Sequence, residues 1–180
     1  YLTKEVLPEF VRNGGDMLNV WSVAAATGQE AYTLAMVIDD YMATNRVRFN
    51  YRILGTDISE TVLKIAQTGI YTEHQAEKIP GHYKKRYCRR SRDPNQKTIR
   101  IVSELRSHIV FGKMNLMSES YPLEKLYQVV FCRNVFIYFE RETQQAVLNR
   151  IFRHIAPGGY LFMGHSEHLS MTTLPLKSLS

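Results

Sequence analysis

Two acidic residues follow short apolar segments of the sequence at positions where a ligand can be held. Glu30 comes after the turn 24–28, whose alanines, threonine and glycine let a ligand approach the backbone. Asp57 follows the next apolar segment, where a carboxylate can accept hydrogen bonds from both hydroxyls of a ribose. The alternatives are that Glu30 only complements a helix dipole and that Asp57 only caps a helix. Because Ser59 is available as the cap, ribose binding is the favoured role of Asp57.

The turn 24–28 contains a single glycine, Gly28. Dinucleotide-binding folds need the spacing G-x-G-x-x-G at this point, because the glycines let the pyrophosphate approach the backbone. The sequence therefore disfavours NAD and FAD as ligands.

A third polar group follows the apolar segment 128–132. Arg133 and Asn134 come directly after it, and the aromatic-rich segment 136–139 comes next. Polar side chains in so apolar a neighbourhood are expected to have specific hydrogen-bond partners. The alternative is a short helix that packs its aromatic side chains into the core.

The histidines and cysteines lack metal-binding spacing. There is no H-E-x-x-H pattern, His165 and His168 have no convincing further ligands, and Cys88 and Cys132 are not part of a C-x-x-C pair. We therefore predict no metal site. Because two such cysteines cannot build a disulfide framework, the predicted location is the reducing cytoplasm.

The charge of the chain favours acidic partners. The formal net charge is +6 and the isoelectric point is about 9.3, with the densest run of lysine and arginine at 84–92. This run is either a solvated face or a surface that binds an acidic protein. Nucleic acid is the less favoured partner, because a basic run that binds it would interleave more aromatic residues than Tyr87.

Alternating strands and helices must position these residues. Apolar runs at 18–23 and 52–56 are each followed by helical spacing, the second over about 59–67. Further strands are predicted at 128–132 and 160–163, with an amphipathic helix between them. Successive strand and helix units imply parallel strands, so we predict an α/β fold with a doubly wound, mostly parallel sheet.

The segment 71–113 interrupts this alternation. It is polar and basic, and its β-like runs at 98–102 and 109–112 lie on the C-terminal side of good turn chemistry at 93–95. We interpret it as a small inserted antiparallel β-subdomain.

The chain of 180 residues fits one domain with a small insertion. Residues 1–70 and 114–180 are predicted to be the two parts of the α/β domain, and residues 170–180 to be a loop. No apolar run approaches the roughly 20 residues that span a bilayer, and no leader opens the sequence. We therefore expect no membrane span and no signal peptide.

Five stretches of the sequence resemble, in the same order, motifs of the CheR-type chemotaxis receptor methyltransferases. They are WSVAAATGQEAYTLAM, LGTDIS, NLM at 115–117, FCRNVFIYFE and APGGYLFMGHSE. The resemblance covers nearly the whole chain and implies the class I fold of S-adenosylmethionine-dependent methyltransferases. In that family a helical subdomain and an arginine-bearing segment usually precede this region, and a strand hairpin follows it.

The resemblance also implies roles for individual residues. Glu30 and Asp57 would bind S-adenosylmethionine, with Asp57 on the ribose. Tyr138 would approach the transferred methyl group and is the expected catalytic residue. The other residues expected around the cofactor are Asn115, Leu116, Arg133 and Asn134.

The reaction implied by the resemblance is methyl transfer from S-adenosylmethionine to glutamate side chains of chemotaxis receptors. It gives glutamate methyl esters and S-adenosylhomocysteine, and it serves bacterial sensory adaptation. Methyl-accepting chemotaxis receptors are the implied partners, and some members of the family tether a receptor peptide through the 71–113 subdomain. Two alternatives stay open: a catalytically silent S-adenosylmethionine-binding signalling module, and a nucleic-acid methyltransferase.

Overall fold

The computed structural model describes residues 1–93, 95–164 and 174–175. Two sheets and the helices around them make up the described fold. The strands are β1 (Met17–Val23), β2 (Asn50–Asp57), β3 (Ile70–Thr72), β4 (Cys88–Arg90), β5 (Thr98–Ile101), β6 (Ile109–Lys113), β7 (Tyr127–Cys132) and β8 (Ile155–Met163). The helices are α1 (Leu7–Arg12), α2 (Gln29–Asn45), α3 (Glu60–Thr68), α4 (Gly81–Tyr87), α5 (Ser103–Arg106) and α6 (Arg141–Phe152), with a π-helical turn at Leu2–Val6 and a 3-10 turn at Phe136–Tyr138.

The main sheet has five parallel strands in the order β6-β2-β1-β7-β8. The chain builds outward from β1 to β2 and β6, and then returns to the other side of β1 with β7. In its register Val23 lies beside Thr56 on one neighbouring strand and Cys132 on the other. The residues that follow these three strands therefore lie along one edge, at the point where the strand order reverses.

Apolar side chains cover both faces of this sheet. Val20 belongs to a buried cluster that includes α2, and Trp21, the next residue of β1, belongs to a second cluster that includes α6. Adjacent residues of a strand point to opposite faces, so a strand buried on both sides is a continuous apolar run. The predicted doubly wound α/β fold is confirmed.

The helix predicted after the second strand is also present. Ser59 precedes α3, and Gly69 ends it with a left-handed φ of 61°. Helices commonly end at a glycine in this conformation, because glycine has no Cβ atom to clash with the backbone there.

The last strand of the main sheet differs from the prediction. β8 begins at Ile155 rather than at residue 160, so the glycine-containing turn expected before it lies inside the strand. The register between β7 and β8 shifts between Tyr127 and Val129, and Gly158 has a left-handed φ of 71°. An irregularity of this kind accommodates the turn residues without ending the strand pairing.

A second, antiparallel sheet has the order β3-β5-β4. The carboxylate of Asp93 accepts a hydrogen bond from the N–H of Asn95, as expected for a turn. The placement of residues 109–112 in this subdomain was wrong, because they form β6 and pair in parallel with β2 of the main sheet. The small sheet therefore ends at Ile101.

The small subdomain is tied to helix α2. Arg86 forms an ion pair with Asp39, with 2.8 Å between Nη2 and Oδ2, and the hydroxyl of Tyr87 donates to the same oxygen at 2.8 Å. Asp40 lies 3.6 Å from Nη1 of Arg86. Part of the basic run is thus an anchor between the two sheets.

Some predictions fall outside the part of the chain that the structure describes. His165, His168 and all of the predicted loop 170–180 except 174–175 belong to this group, as does residue 94 of the predicted turn. Among the described residues, no helix is long and apolar enough to cross a bilayer. Cys88 and Cys132 are not joined in a disulfide.

Candidate functional site

The turn after β1 has an unusual backbone. Ala24 and Ala26 have left-handed φ angles of 53° and 46°, and Gly28 has a φ of 84°. The left-handed conformation costs an alanine roughly 1 to 2 kcal/mol. At Gly28 an added Cβ atom would lie 2.8 Å from atoms of Ala66 and Phe111, so the turn and the neighbouring elements can pack together only with glycine there.

Hydrogen bonds from the end of β2 hold this turn in place. The N–H of Ala25 donates to the carbonyl of Thr56 at 2.8 Å, and the N–H of Ala26 donates to Oδ2 of Asp57 at 2.9 Å. Strained backbone persists only where its surroundings hold it, and such positions concentrate at ligand sites.

Asp57 also holds the start of helix α3. Its Oδ1 accepts the N–H of Ser59 at 2.9 Å, whereas the side chain of Ser59 makes no capping hydrogen bond. Ser59 is the N-cap residue of α3, as predicted, but the side-chain hydrogen bond at this helix start comes from Asp57 and not from the serine hydroxyl. A carboxylate has about four acceptor positions, so two backbone contacts leave Asp57 able to accept ribose hydroxyls.

Glu30 lies in the first turn of α2 and points toward β1. Its Oε1 accepts the hydroxyl hydrogen of Ser22 at 2.8 Å, and its Oε2 lies 3.9 Å from Nη1 of Arg133. Burial raises the pKa of Glu30, while the serine and the arginine act in the opposite direction. Two residues predicted from different segments, Glu30 and Arg133, therefore meet at the edge of the sheet.

Asn134 follows Arg133 with a left-handed φ of 59°. Asparagine tolerates this conformation better than most residues do, because its short polar side chain can bond locally. Both residues are exposed at the end of β7. The chain thus turns sharply at the strand end and presents two polar side chains to solvent.

The segment after β6 is joined to Asp57 through the backbone. The N–H of Met114 donates to the carbonyl of Asp57 at 2.9 Å, which places Asn115 next to the end of β2. Oδ1 of Asn115 accepts the N–H of Met117, and the carbonyl of Leu116 accepts the hydroxyl hydrogen of Tyr121. Asn115 and Leu116 therefore lie in a braced turn beside the second strand.

Tyr138 lies at the end of the 3-10 turn and is 79% exposed. Phe136, at the start of that turn, is buried. The amide of Gln144 donates to the carbonyls of Phe136 and Phe139 at 2.9 Å, which fixes the turn against α6. A core role for Tyr138 is therefore excluded, and its hydroxyl is accessible to a partner.

The whole sequence, residues 1–180, matches the profile of the family described as "CheR methyltransferase, SAM binding domain". The chain belongs to this family. It is 34% identical to a chemotaxis protein methyltransferase of Escherichia coli over 92% of this chain and 57% of that protein. It is 37% identical to chemotaxis protein methyltransferase 1 of Pseudomonas aeruginosa over 94% of this chain and 62% of that protein.

The chain spans about 57% to 62% of the length of these two relatives. Among solved structures it is similar to the glycopeptide N-methyltransferase MtfA, which was crystallised with sinefungin, with a TM-score of 0.50. Identity to that protein is 12%, and the match covers 89% of this chain and 48% of the other, so the likeness concerns the fold alone.

S-adenosylmethionine is the cofactor of this CheR domain, and the described residues suit it. The turn 24–28 offers close backbone approach, and Asp57 has free acceptor capacity beside it. Glu30 adds a half-buried carboxylate at the same edge, where it can face a positively charged group. The roles of the individual residues stay predictions.

Sequence reasoning missed three groups that shape this edge of the CheR domain. Ser22 orients Glu30, and the indole N–H of Trp21 donates to the hydroxyl of Thr56 at 2.9 Å. Ser22 and Thr56 are almost fully buried. The sequence did offer a signal for Ser22 and Thr56, because a polar residue inside an apolar strand needs a hydrogen-bond partner. The third group is Tyr71, whose hydroxyl donates to the carbonyl of Thr27, and no local sequence pattern indicates this contact.

A groove of about 600 Å³ lies in the antiparallel subdomain. Its lining residues are Glu73, His74, Ala76, Glu77, Lys84, Lys85, Cys88, Arg90 and Ile99. Acidic and basic side chains therefore face one another here, and Arg90 pairs with Glu73 at 3.2 Å. Because β5 is the central strand, the edges of this sheet are β3 and β4.

No group of three or more potential metal ligands occurs among the residues that the structure describes.

Proposed function

We propose that the protein transfers a methyl group from S-adenosylmethionine to glutamate side chains of methyl-accepting chemotaxis receptors. The observation that carries the proposal is the pair of hydrogen bonds that the Asp57 carboxylate accepts from the backbone N–H groups of Ala26 and Ser59, in a chain of the CheR family. These bonds hold a strained turn of small residues against an acidic side chain. That arrangement suits a nucleoside, because the carboxylate can accept hydrogen bonds from the ribose hydroxyls next to backbone that small residues leave accessible.

Asp57 and Glu30 would hold the two ends of the cofactor. Asp57 accepts the ribose hydroxyls, and Glu30 accepts hydrogen bonds from the positively charged amino acid end. Ser22 fixes the direction of the Glu30 carboxylate. Arg133, 3.9 Å away, offsets part of its charge, and Asn115, Leu116 and Asn134 complete the rim.

Bound S-adenosylmethionine supplies a methyl group activated by a positive sulfonium. The task of the chain is then to place a carboxylate oxygen in line with that methyl group. Orientation of this kind is worth roughly 7 to 11 kcal/mol. Tyr138 is the proposed orienting residue, since its exposed hydroxyl can donate to the incoming carboxylate.

No general base is required, because a glutamate side chain is already ionised at neutral pH. A negative nucleophile and a positive sulfonium lose charge together, so water stabilises the reactants more than the transition state. Excluding water from the reacting atoms lowers the barrier. The proposed shield is the 3-10 turn, where Phe136 is buried and Phe139 is partly buried.

The antiparallel subdomain is the proposed docking surface for a receptor segment. Strand β4 is an edge of its sheet, and it carries the exposed residues Arg89 and Arg90. An edge strand can pair with an extended peptide, and basic side chains select an acidic sequence. We propose residues 1–70 and 114–180 as the cofactor-binding part and residues 71–113 as the insertion, except for β6 (Ile109–Lys113), which belongs to the cofactor-binding sheet.

The proposed location is the cytoplasm. Cys88 and Cys132 are not joined in a disulfide, which suits a reducing compartment.

Incubation of the full-length protein with methyl-labelled S-adenosylmethionine, receptor membranes and DNA tests the proposal. Label in receptor protein supports it. Label in DNA would favour a nucleic-acid methyltransferase, and cofactor binding with no label transfer would favour a silent signalling module.

A further inference from the structure

The antiparallel subdomain reaches the turn after β1 through one side chain. Tyr71 is the middle residue of β3, and its hydroxyl donates to the backbone carbonyl of Thr27 at 2.6 Å. Thr27 lies between Ala26 and Gly28, both of which have left-handed φ angles. The contact therefore reaches the strained part of the turn.

Tyr71 is itself held firmly. It is 5% exposed, and β3 pairs it with Ile99 of the central strand. Its ring packs edge-on against Tyr32, with 6.1 Å between the ring centroids. Burial raises the pKa of Tyr71, so the hydroxyl stays protonated and remains a donor over the physiological range.

The turn is thus braced from two sides. Asp57 holds the N–H of Ala26 from the end of β2, and Tyr71 holds the next carbonyl from the subdomain. A hydrogen bond from a fixed, buried side chain restricts the peptide plane that accepts it. Preorganised sites bind more tightly because less ordering remains to be done.

We propose that Tyr71 is a positioning residue for cofactor binding, and that its hydroxyl fixes the Thr27 carbonyl so that the turn 24–28 keeps its ligand-accepting shape. This inference rests on the proposed placement of S-adenosylmethionine against that turn. It assigns the subdomain a second role besides docking, which is to complete the cofactor site.

Tyr71→Phe in the full-length protein removes only the donor. The expected result, measured by calorimetry with S-adenosylhomocysteine, is a loss of affinity of about 2- to 10-fold, as for one neutral hydrogen bond. The KM for S-adenosylmethionine should rise by a similar factor while kcat changes by less than about 2-fold, because the reacting atoms keep their own contacts. Backbone hydrogen exchange in residues 24–28 should become faster.

Tyr32→Phe is the matched control. Tyr32 is also buried, and its hydroxyl donates to the carbonyl of Ala66 in α3 at 2.8 Å. This variant should lose a similar amount of thermal stability and keep the affinity for S-adenosylhomocysteine. Unchanged affinity in Tyr71→Phe, or an equal loss in both variants, would overturn the inference. Failure of the unmutated protein to bind S-adenosylhomocysteine would instead overturn the proposed function, and the inference with it.

Discussion

The carboxylate of Asp57 accepts a 2.9 Å hydrogen bond from the backbone N–H of Ala26, beyond the ends of two neighbouring strands of the sheet. The acceptor lies at the end of β2, and the donor lies in a left-handed turn after β1. One acidic residue therefore shapes the turn and, in the proposed function, binds the cofactor that lies on it. Substitution at Asp57 should affect both properties.

Asp57→Ala should weaken binding of S-adenosylhomocysteine. The ribose loses a charged acceptor worth about 1.5 to 3 kcal/mol, which corresponds to roughly 10- to 150-fold in affinity. Titration calorimetry measures the change. Asp93→Ala is the control, because Asp93 also accepts a backbone N–H but lies in the antiparallel subdomain. Equal affinities of the two variants would remove Asp57 from the cofactor site.

Gly28→Ala should destabilise the fold more than Gly158→Ala does. Both glycines have left-handed φ angles. An added Cβ atom at Gly28 would meet Ala66 and Phe111, whereas one at Gly158 would meet nothing within 4 Å. The loss of unfolding free energy in Gly28→Ala should exceed that in Gly158→Ala by about 1 to 3 kcal/mol, as is usual for overpacking. Denaturant unfolding of both variants compares them. A larger loss in Gly158→Ala would show that the turn is not packed as described.

Glu30→Gln should stabilise the apo protein at neutral pH while it weakens cofactor binding. Burial raises the pKa of Glu30 above its ordinary value of 4.5, so the folded state binds this proton more tightly than the unfolded state does. The stability associated with Glu30 is thus fully present below pH 4.5 and is lost as pH rises through the folded pKa.

Urea unfolding at a series of pH values tests this prediction. The advantage of Glu30→Gln should grow from acidic to neutral pH, whereas the exposed control Glu119→Gln should show no such trend. An advantage that shrinks with rising pH would mean that Ser22 and Arg133 outweigh burial at this site.

Replacing Arg89, Arg90 and Arg92 by alanine should reduce association with receptor membranes, and the reduction should be larger at low salt, where screening is weakest. Affinity for S-adenosylhomocysteine should stay the same. The variant Arg12→Ala/Arg48→Ala/Lys64→Ala removes the same charge from exposed positions elsewhere and should bind receptors normally. Equal binding by both triple variants across a salt series would leave the basic run as a solvated face.

The spacing of apolar residues in the sequence predicted the strands and helices that are buried in a regular pattern. The strand at 18–23 and the helix after it show continuous burial and helical spacing, and both are present. The run 109–112 was misplaced, because a short apolar segment next to a polar insertion has the same pattern in a parallel edge strand and in a hairpin. Only pairing with β2 distinguishes the two.

In the candidate site, too, some features could be predicted from local sequence and others depend on tertiary structure. Arg133, which comes directly after β7, and Glu30, which follows the turn after β1, could be selected because parallel strands end at one edge. The hydrogen bond that Asp57 accepts from Ala26 depends on the register of β1 with β2, and the one that Tyr71 donates to Thr27 depends on how the subdomain packs. Neither hydrogen bond can be predicted from the spacing of residues in the sequence.

Alkaline release of label from methylated receptors distinguishes glutamate methyl esters from other methylated products. The full-length protein is incubated with receptor membranes and methyl-labelled S-adenosylmethionine, and the recovered receptor is treated with mild base. If the protein methylates receptor glutamates, base releases the receptor label, as expected of a glutamate methyl ester, and Asp57→Ala transfers little label at limiting cofactor. Receptor label that resists base, or no receptor label from a protein that binds the cofactor, would contradict it.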